Sequence, residues 1–213
     1  MEKIFSMDGT YARVMNFLWN ILVISVLWLL CCLPVITIGA ASTAAYYAAA
    51  KAVRHHTGIV YREFFSSFRF NFRQSIPLTL AMGLLTLLLG MECLYLYSDV
   101  NVPIPVLCLF FAMLLSVLGC GSYLWAALSR FDRGSFSLFR FSVVVTFRHI
   151  LTTVLLLFLL LSCLAGVYFL PWGVLLFPGL AFFLSTYPME RILLKYAPPK
   201  SINDKEADKW YYQ

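Results

Sequence analysis

The stretch Pro34-Val-Ile-Thr37-Ile-Gly39-Ala-Ala41-Ser-Thr-Ala-Ala45-Tyr-Tyr-Ala-Ala49-Ala-Lys51 is the least hydrophobic of the candidate membrane segments, yet the layout of every other segment depends on whether it crosses the bilayer. A helix from Thr37 to Arg54, rising ~1.5 Å per residue, covers about 27 Å, barely the thickness of a hydrocarbon core. If it crosses, all 16 Lys and Arg fall on one side: in the N-terminus, in residues 51–73, in residues 130–148 and in the C-terminal region. If it does not, Lys51, Arg54, Arg62, Arg69 and Arg73 move to the outer side, against the rule that cytoplasmic loops carry the positive charge. The segment is therefore expected to cross, with both termini cytoplasmic.

The rest of the composition fits that reading. Of 213 residues, 62% are hydrophobic and only 12% are charged, against about 25% charged in a soluble domain. Several apolar runs exceed the roughly 18 residues that a spanning helix needs. The expected fold is all-α, a polytopic membrane bundle of about six transmembrane helices plus two short interfacial amphipathic helices. Residues 1–197 form the single membrane domain and residues 198–213 a polar cytoplasmic tail. The net charge of +6 is explained by membrane orientation, because the basic residues sit between apolar spans; the lipid bilayer is the expected partner, not nucleic acid. The first apolar run, Val14 to Ile36, is too long for the ~7–15-residue core of a signal peptide, and Glu2 and Asp8 dilute its positive start. The six cysteines (Cys31, Cys32, Cys93, Cys108, Cys120, Cys163) lie in apolar runs without metal-site spacing and read as small packing residues; Cys93 and Cys108 flank one outer loop and are the one pair placed to bond there.

Along the chain, Pro34 ends the first helix, because its ring removes a donor and clashes with the preceding turn. Thr37 is placed to cap the next helix through its hydroxyl. That helix carries Gly39 and two ladders, Ala41, Ala45, Ala49 and Ala40, Ala44, Ala48, whose four-residue spacing lets neighbouring backbones approach closely. It belongs inside the bundle. Next, Tyr61, Phe64, Phe65, Phe68 and Phe72 form one helical stripe with Arg62, Arg69 and Arg73 beside it, a short surface helix suited to headgroups or to a cytoplasmic partner. Helices over about 76–97 and 105–128 follow, the latter with Ala112, Ser116 and Cys120 at the same small-residue spacing. A second surface segment has Phe136, Phe139, Val143 and Phe147 as its stripe and Arg140 and Arg148 as its flank. A fifth crossing spans about 150–170, Pro171-Trp172-Gly173 turns it, and a sixth ends near Tyr187 with a kink at Pro178. The unit of basic loop, Phe-Arg-Phe helix and apolar span occurs twice, at Phe68-Arg69-Phe70 and Phe139-Arg140-Phe141, either as parallel repeats or by convergence of two interfacial helices.

Few residues are candidates for chemistry. Glu92 is the acid within an apolar span, and no basic residue lies on its side of the membrane to pair with it; it either serves a binding or transport path or points at the outer interface. Asn16 and Asn20, one turn apart, make a polar face that looks inward or meets headgroups. His55-His56, with His149 in another inner loop, lack a Cys or carboxylate at ligand spacing, so no metal is expected. No nucleophile elbow, phosphate-binding glycine loop or HExxH occurs, and no catalytic residue, cofactor or enzyme activity is expected. The chemistry classes left are an accessory membrane component and a small transporter using Glu92.

At Leu33-Pro34-Val-Ile-Thr37-Ile-Gly39-Ala-Ala-Ser-Thr43-Ala44, and at Phe64-Phe65-x-x-Phe68-Arg-x-Asn71-Phe72-Arg73-Gln74, the chain resembles the YesL-like family of bacterial membrane proteins, a domain of unknown function. The resemblance covers nearly the whole chain in length and helix order, with the C-terminal third matched mainly by hydropathy. It implies a bacterial plasma membrane, multi-pass location and an association with carbohydrate uptake by sugar ABC transporters. It supplies no catalytic residues.

Overall fold

In lipid, every backbone N–H and C=O has to be paired within the protein, which favours helices in a chain this apolar. The computed structural model describes residues 10–54, 59–98, 103–131 and 134–196, and no strand occurs among them. Seven α-helices follow in order: α1 Thr10–Cys32, α2 Ile38–Ala48, α3 Val60–Ser98, α4 Ile104–Leu128, α5 Ser135–Arg148, α6 Ile150–Phe169 and α7 Phe177–Tyr196. A short 3₁₀ turn, Val35–Thr37, leads into α2, a π-helical segment, Ala49–Arg54, continues it, and a second 3₁₀ turn, Pro171–Leu175, joins α6 to α7. The histidine pair His55-His56, Asp99, Asp132, Arg133 and the polar tail lie outside the described residues.

Helix α2 is the centre of the molecule. Ala40, Ala41, Ala44, Ala45, Ala48, Ala49 and Ala50 have no exposed surface. It lies antiparallel to both neighbours: Trp28 Nε1 on α1 donates to Ser42 Oγ at 3.2 Å near its start, and Lys51 Nζ meets Glu63 Oε2 of α3 at 2.7 Å near its end. Gly39 lets three helices meet, since a Cβ there would sit 2.6 Å from the Trp125 ring of α4 and against Thr79 Oγ1 of α3. Thr37 does not cap α2 with its side chain. Its hydroxyl instead bonds back to the carbonyls of Cys31 (2.5 Å) and Pro34 (2.6 Å), fastening the reversal between α1 and α2.

Helix α3 departs most from the sequence expectation. The separate surface helix ending near Arg73 and the span beginning near Ile76 are one continuous helix of 39 residues with Pro77 inside it. At 1.5 Å per residue it is about 58 Å long, roughly twice a hydrocarbon core. Its two halves differ. Val60, Phe64, Ser67, Asn71, Ser75, Leu78, Thr79 and Met82 are buried, and no residue from Gly83 to Ser98 is. Helix α4 mirrors this, with nothing buried before Gly119. The far half of the α3–α4 hairpin is therefore an apolar surface, including Leu84, Leu88, Leu94 and Phe111, of the kind acyl chains cover.

Four helices are long and apolar enough to cross a membrane: α1 from Val14, α3, α4 and α6. Helix α2 is too short to be among them, and α7 carries Glu190, Arg191 and Lys195. Pro178 starts α7 in its first turn, where a missing N–H costs nothing, rather than kinking a helix, and α7 continues past Tyr187 to Tyr196. The six cysteines are free, Cys93 and Cys108 included.

Candidate functional site

Three helix ends converge where the bundle holds its deepest charges. Glu190, on α7, is 3% exposed and accepts from two arginines that come from different helices. Arg54, closing the π-helical segment after α2, places its guanidinium 3.0 Å from Glu190 Oε2 and donates to the Thr186 carbonyl at 2.8 Å. It also lies over the Tyr187 ring, 4.6 Å from its centre. Arg130, just past the end of α4, pairs with Glu190 Oε1, with both side chains only 4% exposed. The Tyr46 hydroxyl, buried and without a hydrogen-bond partner among the described residues, lies within electrostatic range of all three charges. Two guanidiniums meet on one carboxylate, and charge-assisted bonds of this kind are stronger than neutral ones.

Sequence reasoning missed this cluster. Glu190 follows Pro-Met in a charged run at the end of an apolar segment, which reads as an ordinary cytoplasmic helix end, and nothing local points to arginines 60 and 136 positions away. The residues singled out from sequence are dispersed. Glu92 is exposed on the far, apolar half of α3. Asn16 is exposed and Asn20 half-buried near the beginning of α1. Because α1 and α3 both run antiparallel to α2, these asparagines and Glu92 sit toward opposite ends of the bundle and form no common polar site. Among the described residues no group of His, Cys, Asp and Glu is arranged to hold a metal ion.

The Phe/Arg helices do present the arginines outward, though with a rotated buried face. On α3 the buried line is Phe64, Ser67, Asn71 and Ser75, while Tyr61, Arg62, Phe65, Arg69, Phe70 and Arg73 are exposed and Phe68 and Phe72 half-buried. Tyr61, Arg62, Phe65, Ser66, Arg69 and Phe70 line a shallow, open depression of about 700 Å³. On α5 the buried line is Leu138, Ser142, Val145 and Thr146; Phe136, Arg140, Phe147 and Arg148 face out, and Phe139 and Val143 are half-buried. Superposing Phe68-Arg69-Phe70 on Phe139-Arg140-Phe141 brings Ser67 onto Leu138, Asn71 onto Ser142 and Ser75 onto Thr146, every one buried. Arg62, Arg69, Arg73 and Arg140 make no ion pair among the described residues. Arg148 sits 5.9 Å from the Tyr196 ring centre.

The buried residues of the predicted packing set are those of α2: Thr37, Gly39, Ala41, Ala45 and Ala49 are all buried, and Pro34 is exposed at the turn.

Residues 21–93 match a family model described as a protein of unknown function, DUF624. The matched region runs from α1 through α2 and most of α3, so it takes in the buried alanine helix and the outward arginines of α3. No curated protein and no solved structure matches the chain.

Proposed function

We propose that the chain is a non-enzymatic accessory component of carbohydrate uptake in the bacterial plasma membrane, of the YesL-like kind, which contacts an ABC-type sugar transporter through the outward Arg/Phe faces of α3 and α5. The observation that carries this reading is the pairing of those faces. Two helices with the same register of burial expose arginines that have no ion pair among the described residues, set among exposed aromatic rings. Exposed aromatic and arginine side chains are the residue types that anchor protein interfaces. Glu92, which a transport path would need inside the bundle, is exposed on the half of α3 where no residue from Gly83 to Ser98 is buried, and this favours docking over transport.

Six crossings with both termini cytoplasmic fit this reading better than four. Hydropathy selects helices that face lipid, and α2 is sheathed by α1, α3 and α4, so it can cross with a small-residue surface. The charges of α7 that would be costly in lipid begin at Glu190, which the arginine pair neutralises.

The test is purification of the full chain from its native membrane in mild detergent. A transporter subunit is expected to come with it, and Arg69→Glu with Arg73→Glu to lose that subunit while the protein itself is recovered at normal yield. Recovery of the same subunit with the reversed charges would refute the proposed contact.

A further inference from the structure

Two arginines that share one buried carboxylate occupy matching places in the two halves of the chain. Upstream of the first Phe-Arg-Phe helix stands Tyr47-x-x-Ala50-x-x-x-Arg54, and upstream of the second stands Tyr123-x-x-Ala126-x-x-x-Arg130. In both, the small residue is buried and the arginine closes the helix that packs antiparallel to the following Phe/Arg helix: α2 with α3, and α4 with α5. From Arg54 to Phe68 is 14 positions and from Arg130 to Phe139 is 9; the connections before Val60 and Ser135 differ by one residue, and the rest of the difference is the longer helical lead-in of α3. Glu190 on α7 belongs to neither copy and binds both arginines.

We propose that Arg54, Arg130 and Glu190 form a charge latch that holds the ends of the two copies together, and that it opens on the Arg54 side. A buried ion pair contributes little net stability compared with apolar side chains of the same volume, because its desolvation cost offsets most of the attraction. A triad of charges at a three-helix junction therefore specifies which ends meet while leaving a seam that water can re-enter. The two limbs are unequal. Arg130 and Glu190 are sealed, at 4% exposure each, whereas Arg54 is 23% exposed. Arg54 also ends the π-helical segment Ala49–Arg54, a rare backbone form that recurs at functional sites. Release of Arg54 frees the Thr186 carbonyl and the Tyr187 ring together, and uncovers the seam leading to the Tyr46 hydroxyl.

Thr186, fully buried beside Arg54, is the reporter position. In detergent-solubilised full-length Thr186→Cys protein, modification by a charged methanethiosulfonate, read at position 186 by peptide mass spectrometry, is expected to be slow. Adding Glu190→Gln or Arg54→Met is expected to speed it at least tenfold, with unchanged helical circular dichroism and elution volume. Equal rates in the parent and in both variants would overturn the latch. If Glu190→Gln does not fold, Arg54→Met alone decides the result; if Thr186→Cys does not fold, Met189→Cys, 3% exposed on the same helix, replaces it as reporter.

Discussion

Adding one methyl group at Gly39 tests whether the close approach of α2, α3 and α4 organises the bundle. In Gly39→Ala the new Cβ lies 2.6 Å from two atoms of the Trp125 ring and against Thr79 Oγ1, where ordinary contact begins at 3.4 Å. Neither neighbour is a flexible chain end. Trp125 is a rigid ring, and Thr79 is held by a 2.7 Å bond from its hydroxyl to the Ser75 carbonyl. Overpacking costs about 1–3 kcal/mol in ordinary cores, and a seam of three helices belongs at the upper end. Alanine returns about 1 kcal/mol of helix propensity, leaving a net loss of about 2 kcal/mol. Gly83→Ala is the matched control, also within a helix but with nothing within 4 Å of the added Cβ. It is expected to gain up to about 1 kcal/mol. The gap between the variants is then about 3 kcal/mol, or about 6–12 °C in melting temperature at the ~2–4 °C per kcal/mol usual for chains near 200 residues. Tryptophan-fluorescence melting in one detergent measures it, with Trp125 at the site of the clash. If Gly39→Ala melts at or above Gly83→Ala, α2 is not a close-packed centre.

Two further substitutions probe the remaining polar residues. Ser25, fully buried on α1, accepts the Gly179 N–H at 2.8 Å in the first turn of α7; Ser25→Ala leaves that donor unsatisfied and is expected to cost about 1–3 kcal/mol by thermal melting, with an unchanged melt showing that the bond carries no weight. Glu92→Gln is expected to shift stability by less than about 0.5 kcal/mol and to leave recovery of the partner subunit intact, as for an exposed side chain; a large change in either would place Glu92 in a working site.

The buried alanine helix was legible in the sequence because small residues at four-residue spacing have one use in a membrane, the close approach of backbones. The buried faces of α3 and α5 were not, because aromatic rings dominate any reading by hydrophobicity. The structure buries Ser67, Asn71, Ser75 and Thr79 on α3, and Ser142 and Thr146 on α5, which are small enough for close packing. Their polar atoms are satisfied within their own helices: Asn71 Nδ2 donates to the Ser67 carbonyl at 3.0 Å, Ser75 Oγ to that of Phe72 at 2.9 Å and Ser142 Oγ to that of Leu138 at 2.9 Å. Polarity alone therefore says little about which face is inside once each hydroxyl carries its own acceptor. The run Phe64-Phe65-Ser-Ser-Phe-Arg-Phe-Asn-Phe-Arg-Gln74 followed by Pro77 reads as the end of one element and the start of another, yet α3 passes through. The proline's side of the helix is exposed there, and the hydroxyls of Ser75 and Thr79, which flank Pro77, donate to the Phe72 and Ser75 carbonyls in the turn before it. A proline in a long helix is tolerated where neighbouring hydroxyls and packing compensate for the missing bond.

The latch also bears on the charge count from which the topology was read. Of the five basic residues on which the expected crossing of α2 rests, Lys51 is paired with Glu63 and Arg54 with Glu190. Paired charges are poor witnesses to orientation, because they are fixed by packing as well as by the side of the membrane on which they were synthesised. Arg62, Arg69 and Arg73 have no such partner among the described residues and are exposed along α3 beyond the turn from α2. If α2 failed to cross, these three unpaired guanidiniums would still stand on the outer side, so with the two structural pairs set aside the expected crossing rests on Arg62, Arg69 and Arg73. The two kinds of basic residue do separate work. Unpaired arginines on α3 and α5 face outward, while the arginines after α2 and α4 turn inward and meet on the carboxylate of Glu190.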